Sequence, residues 1–355
     1  EEASANRARY SGSLHAAEVT QLQPSLQRHY KDEFKKDMKS KSTVIGVAAA
    51  LMLIVPSANV AFGAEGGLGR PISGASINPY AGLVPPLPGF SVGVTEAYYD
   101  ASIGGGTTVP VGINLTLGID LKVSFTPISI VYIWPTKSKE WNFASAINIP
   151  LAYVEAKATV TIGPLTGQVK DHDFGLFDIV IVPIIASYHI SETDHLAFNF
   201  AVWAPTGEYD KNRLANLSTN TWTFIPGVAY TKIFPTANIE LSAAWSLQFD
   251  TENTATHYQN GVLSDLEATA IKRFKSDFGI GVIGSWIQQL NDDGGTTADR
   301  LNGFAGRAFG VGPVVTYSTK VGKSLLDFNG RWVHEFDNHN RPEGDLFQLS
   351  ANLKF

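Results

Sequence analysis

Two groups of side chains have the types and spacing for chemistry. In Ser187-Tyr188-His189 the serine and histidine stand two positions apart, so an extended chain puts both on one side, as a hydroxyl nucleophile and its base require. A membrane esterase would use such a pair. It would also need a third group to orient the imidazole and donors for an oxyanion. Neither is identifiable in the chain. Plain strand residues beside a turn are the simpler reading. The second group is His334, Glu335, Asp337, His339, Glu343 and Asp345, which could surround a divalent cation. Their spacing matches no compact metal motif, and a solvated outer loop near anionic lipopolysaccharide accounts for them better. No catalytic, cofactor or metal set is therefore assigned, and the chain reads as a non-enzyme.

The elements that would carry these residues are strands. From Leu346 to Phe355 apolar and polar residues alternate without a break: Phe347, Leu349, Ala351, Leu353 and Phe355 share one face, and Gln348, Ser350, Asn352 and Lys354 the other. A period of two with opposed faces is a strand between an oily and a wet environment. The pattern recurs in Ile239, Leu241, Ala243, Trp245, Leu247 and Phe249, and again in Phe278, Ile280, Val282 and Trp286. Segments of about ten residues with this alternation are what a membrane barrel requires, and the closing Phe355 resembles the way bacterial outer-membrane barrels commonly end.

Composition agrees. The 355 residues include no Cys, 33 Gly and only 17% charged residues. A net charge of -6 leaves no basic stripe for nucleic acid. The apolar run from Thr43 to Val55, after Lys39 and Lys41 and before Pro56 and Ala61-Phe62-Gly63-Ala64, has the anatomy of a secretory signal peptide and is too short to anchor. Met38 precedes it. We therefore expect residues 1–37 to be an upstream polar segment outside the mature protein, 38–64 a cleaved signal peptide, 65–89 a Pro/Gly-rich tail or plug, and 90–355 the barrel.

Candidate strands lie near 90–100, 113–134, 141–154, 178–190, 195–204, 222–234, 237–250, 264–274, 278–290, 308–319, 325–336 and 346–355. That predicts an all-β, transmembrane antiparallel barrel of about twelve strands, an even number as such barrels need. Pro127 weakens the second strand, because proline cannot donate to a ladder. The gaps alternate in length: 337–345, 291–307, 251–263, 205–221 and 155–177 are long, and those between them short. Sorting by parity is the signature of long outer loops and short periplasmic turns. Tyr98, Tyr99, Trp134, Trp141, Trp203, Trp222, Phe234, Phe274, Phe278, Trp286 and Trp332 fall where strands meet headgroups.

Alternation places Glu240, Asp250, Glu267, Lys272, Asp327, Arg331 and Glu335 on lumen faces, together with Tyr99, Trp203 and Ile225. Such a mixed lining suits a water-filled pore that selects ions as well as an aromatic-lined conduit, and does not choose between them.

The stretches Gly69-Arg70-Pro71-Ile72, Pro79 to Pro86, Trp203-Ala204-Pro205-Thr206-Gly207-Glu208-Tyr209-Asp210, Asn212 to Leu217 and Gly312 to Ser318 resemble the outer-membrane transporter family named for the meta-pathway of phenol degradation. The resemblance covers about residues 65–355. It implies a channel in the bacterial outer membrane for small hydrophobic compounds, aromatic ones included, with lipid and lipopolysaccharide as surroundings, and it supplies no binding residues. The alternatives are a general diffusion porin and a structural or surface-interaction barrel without transport.

Overall fold

The computed structural model describes residues 68–111, 114–162, 165–301 and 303–355. The expected upstream segment and signal peptide lie outside the described residues. Thirteen strands run in chain order: β1 (Gly89–Val111), β2 (Asn114–Ile133), β3 (Trp141–Ile162), β4 (Leu165–Leu176), β5 (Ile179–His189), β6 (Asp194–Ala204), β7 (Thr223–Phe234), β8 (Ile239–Asp250), β9 (Leu263–Arg273), β10 (Phe278–Gln289), β11 (Arg307–Val321), β12 (Ser324–His339) and β13 (Glu343–Lys354).

Each strand pairs antiparallel with its neighbours, and two pairings close the sheet: β1 on β13, from Ser91 opposite Lys354 to Ser102 opposite Glu343, and β2 on β3. β4 and β5 form one wall strand with a break. β3 pairs with β5 from Trp141 to Asn148 and with β4 from Leu151 to Ile162, and the handover falls at Phe177 and Asp178. The wall thus has the expected twelve staves, with its fourth interrupted.

Three expectations need correction. The stretch 155–177, expected as a long loop, is mostly strand: β3 continues to Ile162 and β4 turns back beside it. β1, with 23 residues, is more than twice the ~9–11 that cross a bilayer, so β1 to β4 continue as a sheet past the barrel rim. The outward side of that extension is polar, as Lys122, Asp100, Lys157 and Asp120 show, so no lipid-facing alternation marked it. Its inner side buries Ile103, Val109, Val111, Ile119, Leu121 and Ala156 against Ala215 and Phe304 from two outer loops. The stretch 337–345 shortens to a connection at 340–342, because β12 and β13 extend toward each other.

Pro127 does not break β2. It stands opposite Pro150 of β3. On its other side the β1–β2 ladder keeps its register but skips from Val94 opposite Ile128 to Ala97 opposite Phe125, so the missing amide falls where that ladder is interrupted. Short turns close the opposite end, with Asn238, Asp277 and Gly322 in the left-handed region that such turns favour.

The outer surface is apolar in the band where lipid belongs: Val92, Val282, Val315 and Leu349 are exposed there. Aromatic rungs border it. Trp286–Phe309, Phe309–Phe336 and Trp332–Phe347 stack at one rim at 6.0, 6.0 and 6.3 Å between centroids. Phe90–Tyr132 and Phe274–Phe278 lie at the other, at 4.7 and 6.2 Å. Val282, 58% exposed, tests the band directly. Val282→Arg should lower the unfolding free energy in lipid vesicles by about 2–4 kcal/mol, as read from a denaturant titration. On a water-facing surface the same change would be close to neutral.

Candidate functional site

Inside the barrel, residues 70–84 run past inward side chains of most of the wall, held almost wholly by their main chain. At the short-turn end Asn142 Nδ2 donates to the Val84 carbonyl at 3.2 Å and Ser187 Oγ to the Gly82 carbonyl at 2.8 Å. The Gly82 amide donates to Thr231 Oγ1 at 2.9 Å. A Cβ on Gly82 would stand 2.4 Å from the His195 carbonyl, so only glycine fits. Further along, the Tyr80 amide donates to Glu240, and the Ser76 and Ile77 amides to Glu267 Oε2 at 3.1 and 2.5 Å. Arg331 Nη1 donates to the carbonyls of Gly74 and Ile77, both at 2.7 Å, and Arg341 Nη2 to that of Pro71 at 2.5 Å. Ile77 packs in one cluster with Tyr99, Ile283, Val333 and Leu346.

The far end is tied by a side chain. Arg70 sends Nη1 to Asp178 Oδ2 at 2.7 Å, Nε to Thr223 Oγ1 at 3.1 Å and Nη2 to the Thr221 carbonyl at 3.1 Å. Its guanidinium lies 4.8 Å over Trp203 and 5.9 Å from Phe177. Asp178 sits at the break between β4 and β5, and its carboxylate also accepts from the Gly207 and Thr219 amides.

Most residues expected in the lumen are there. Glu240, Glu267, Arg331, Glu335 and Tyr99 are buried on inward faces, and the Tyr99 hydroxyl donates to Glu335 Oε2 at 2.6 Å. Asp250 accepts from Thr223 Oγ1, and Asp327 from Ser318 and Lys354 near the short-turn end. Trp203 faces Arg70, and Ile225 shares its face with Thr223. Lys272 does not belong: it is exposed on the outer side and its ammonium caps the Ala237 carbonyl in a short turn. The inward set of β9 is odd-numbered, from Leu263 through Glu267 to Arg273, and Lys272 falls between. That parity also marks Asp265 and Arg273, which the sequence reading missed. Arg273 pairs with Glu240 and lies 4.3 Å over the Tyr80 ring.

The two groups with spacing for chemistry are drawn apart. Ser187 is engaged by Gly82, while His189 Nδ1 lies 2.8 Å from His195 Nδ1. His334 pairs outward with Asp345, Glu335 points inward to Tyr99, and Asp337 meets Arg307.

The residues matched by the family described as "Putative MetA-pathway of phenol degradation" are 99–351, which span eleven strands with their lumen faces and most of β1 and β13. The chain belongs to this family. Among solved structures it is similar to an outer membrane channel from Pseudomonas putida F1, at 13% identity and a TM-score of 0.62, covering 79% of this chain and 100% of that one. Two others are a FadL homologue from Pseudomonas aeruginosa, with 10% identity, a TM-score of 0.35 and coverage of 83% and 98%, and the CymD monoaromatic hydrocarbon channel, with 8%, 0.41 and coverage of 83% and 97%. No curated protein matches. The first likeness establishes the fold for the family member described here: a closed twelve-stave barrel of the outer-membrane kind.

The outer loops carry a titratable knot of their own. Asp293 accepts from Tyr258 Oη, the Gly261 amide and Gln289 Nε2, each at 2.6 Å. Burial outweighs these bonds and pushes its carboxyl up to about 7 from 3.8. The folded loops therefore hold a proton that the unfolded chain releases, and their packing weakens as pH rises from about 4 to about 7. Cleavage within 251–262 by proteinase K, normalised to a denatured substrate, should be faster at pH 8 than at pH 5. Asp293→Asn should remove the difference.

Proposed function

We propose that this barrel is an outer-membrane channel for small hydrophobic compounds, aromatic ones among them, linked to phenol-type catabolism. The observation that carries the reading is the nature of what fills the lumen. A general diffusion porin keeps water against its charged lining. Here the inward carboxylates and guanidinium groups are spent on the N-terminal segment, which turns Ile77 toward Tyr99, Ile283, Val333 and Leu346. On this reading residues 65–89 are a plug that, beside its polar ties, meets the wall through the apolar cluster around Ile77, the kind of lining small hydrophobic solutes bind. Membership of a family described by phenol degradation supports the solute class, and the mature protein begins with the plug.

Lipid surrounds the band, and lipopolysaccharide meets the ion pairs of the extension, such as Lys170 with Glu155 at 2.9 Å.

Single-channel recording of the refolded protein tests this against the porin reading. The wild type should conduct ions poorly. Arg331→Leu, which removes two main-chain ties to the plug, should raise both conductance and phenol uptake into vesicles several-fold. A large, steady ohmic conductance from the wild type would favour a porin instead.

A further inference from the structure

Arg70 is the only charged residue between Leu68 and Gly89, and it does not sit in the lumen as a spacer. It fills a pocket built entirely by the barrel and its loop. Asp178 supplies a carboxylate with a fully buried side chain. Thr223 Oγ1 and the Thr221 carbonyl supply two further acceptors. Phe125, Phe177 and Trp203 form a closed triangle, with centroids 5.5, 6.4 and 6.3 Å apart, two of whose rings face the guanidinium. A carboxylate at the end of an aromatic cage selects a cation with an apolar or planar body.

The rest of the segment makes different contacts. Between Pro71 and Val84 it carries no charge and offers main chain to the wall, where Glu240 already has Arg273 as partner. Asp178 would lose its paired cation if the segment moved, keeping only the Gly207 and Thr219 amides, and a buried charge parted from its counter-charge is strongly unfavourable. A neutral solute entering the lumen leaves that problem unsolved. A solute with its own positive group solves it.

We infer that the Asp178–Phe125–Phe177–Trp203 pocket is a subsite for organic cations with an aromatic or apolar body, held in this state by Arg70, and that such a cation competes with Arg70 and so releases the N-terminal segment. The inference rests on the proposed channel reading for its role, and its binding test does not.

The probe is benzamidinium, a planar delocalised cation on a phenyl ring, with neutral benzamide as its isostere. Titration calorimetry on the refolded full-length protein should show that Arg70→Ala binds benzamidinium about tenfold or more tighter than benzamide, a step of about 1.4 kcal/mol. The wild type should bind benzamidinium more weakly than the variant, because Arg70 competes. Asp178→Asn in the Arg70→Ala background should abolish the preference. Arg70→Gln serves if Arg70→Ala does not refold. Equal affinity for the two probes in the Arg70 variants, or a preference that survives Asp178→Asn, would overturn the subsite. Wild-type conductance should then rise with benzamidinium and not with benzamide. A cation preference without any conductance or uptake would keep the subsite and sink the channel reading. Conductance in Arg70→Ala with no cation preference would do the reverse.

Discussion

A strand in a hydrocarbon layer has no water to satisfy its amides and carbonyls, so every such group must find another strand, and a sheet with an open edge cannot stay there. The pairings of β1 with β13 and β2 with β3 meet that requirement, and much else follows from it. Closure forces one face of each strand outward to lipid and the other inward, which turns a period of two into a boundary between solvents. It also explains where the wall tolerates irregularity. Pro127 faces Pro150 and takes its missing amide to a gap in the β1 ladder, and the bulge in β5, between Ile181 and Ile184, lies beside the break at Phe177 and Asp178. Beyond the lipid band the constraint lapses, and there β1 and β4 carry free edges.

The inner face then has a difficulty of its own. Glu240, Asp265, Glu267 and Glu335 face Arg273, Arg331 and Arg341 in a narrow space, mostly out of contact with bulk water. Charges in such a setting need partners or hydrogen bonds. Much of the satisfaction comes from an uncharged stretch of chain: carboxylates take its amides, guanidinium groups take its carbonyls. Because the wall reads main chain and not side chains there, glycine matters most where the segment presses closest. Gly74, at φ +75 with a Cβ that would stand 2.6 Å from Val333, and Gly82 against β6 are such points.

This division explains what was legible in the sequence. The twelve staves could be read because lipid demands unbroken alternation, as in Ile239 to Phe249 and Phe347 to Phe355, and because the sorting of loop lengths is independent of it. The extension of β1 to β4 could not, since its outward residues face water and polar residues there are indistinguishable from loop. The lumen residues followed from parity, and the one error, Lys272, is a register slip of one residue in β9, which moves a side chain through the wall. The path of residues 70–84 was not legible at all. Its contacts are made by backbone atoms that every sequence shares, and Gly-Pro-rich chain has no period to read.

Arg70 is the exception. It is the one charged side chain with which the segment ties itself to the wall, and it ties three things together: the segment, the interrupted fourth stave and the loop 205–222, whose Gly207 and Thr219 amides share the Asp178 carboxylate. Elsewhere the segment gives the wall's charges main-chain hydrogen bonds only, and Glu240 has Arg273 as an ion-pair partner of its own. At Asp178 movement of the segment would remove the counter-charge itself. Opening the lumen therefore has to break an ion pair at that carboxylate, set where the fourth stave is already broken and where the loop 205–222 adds its amides.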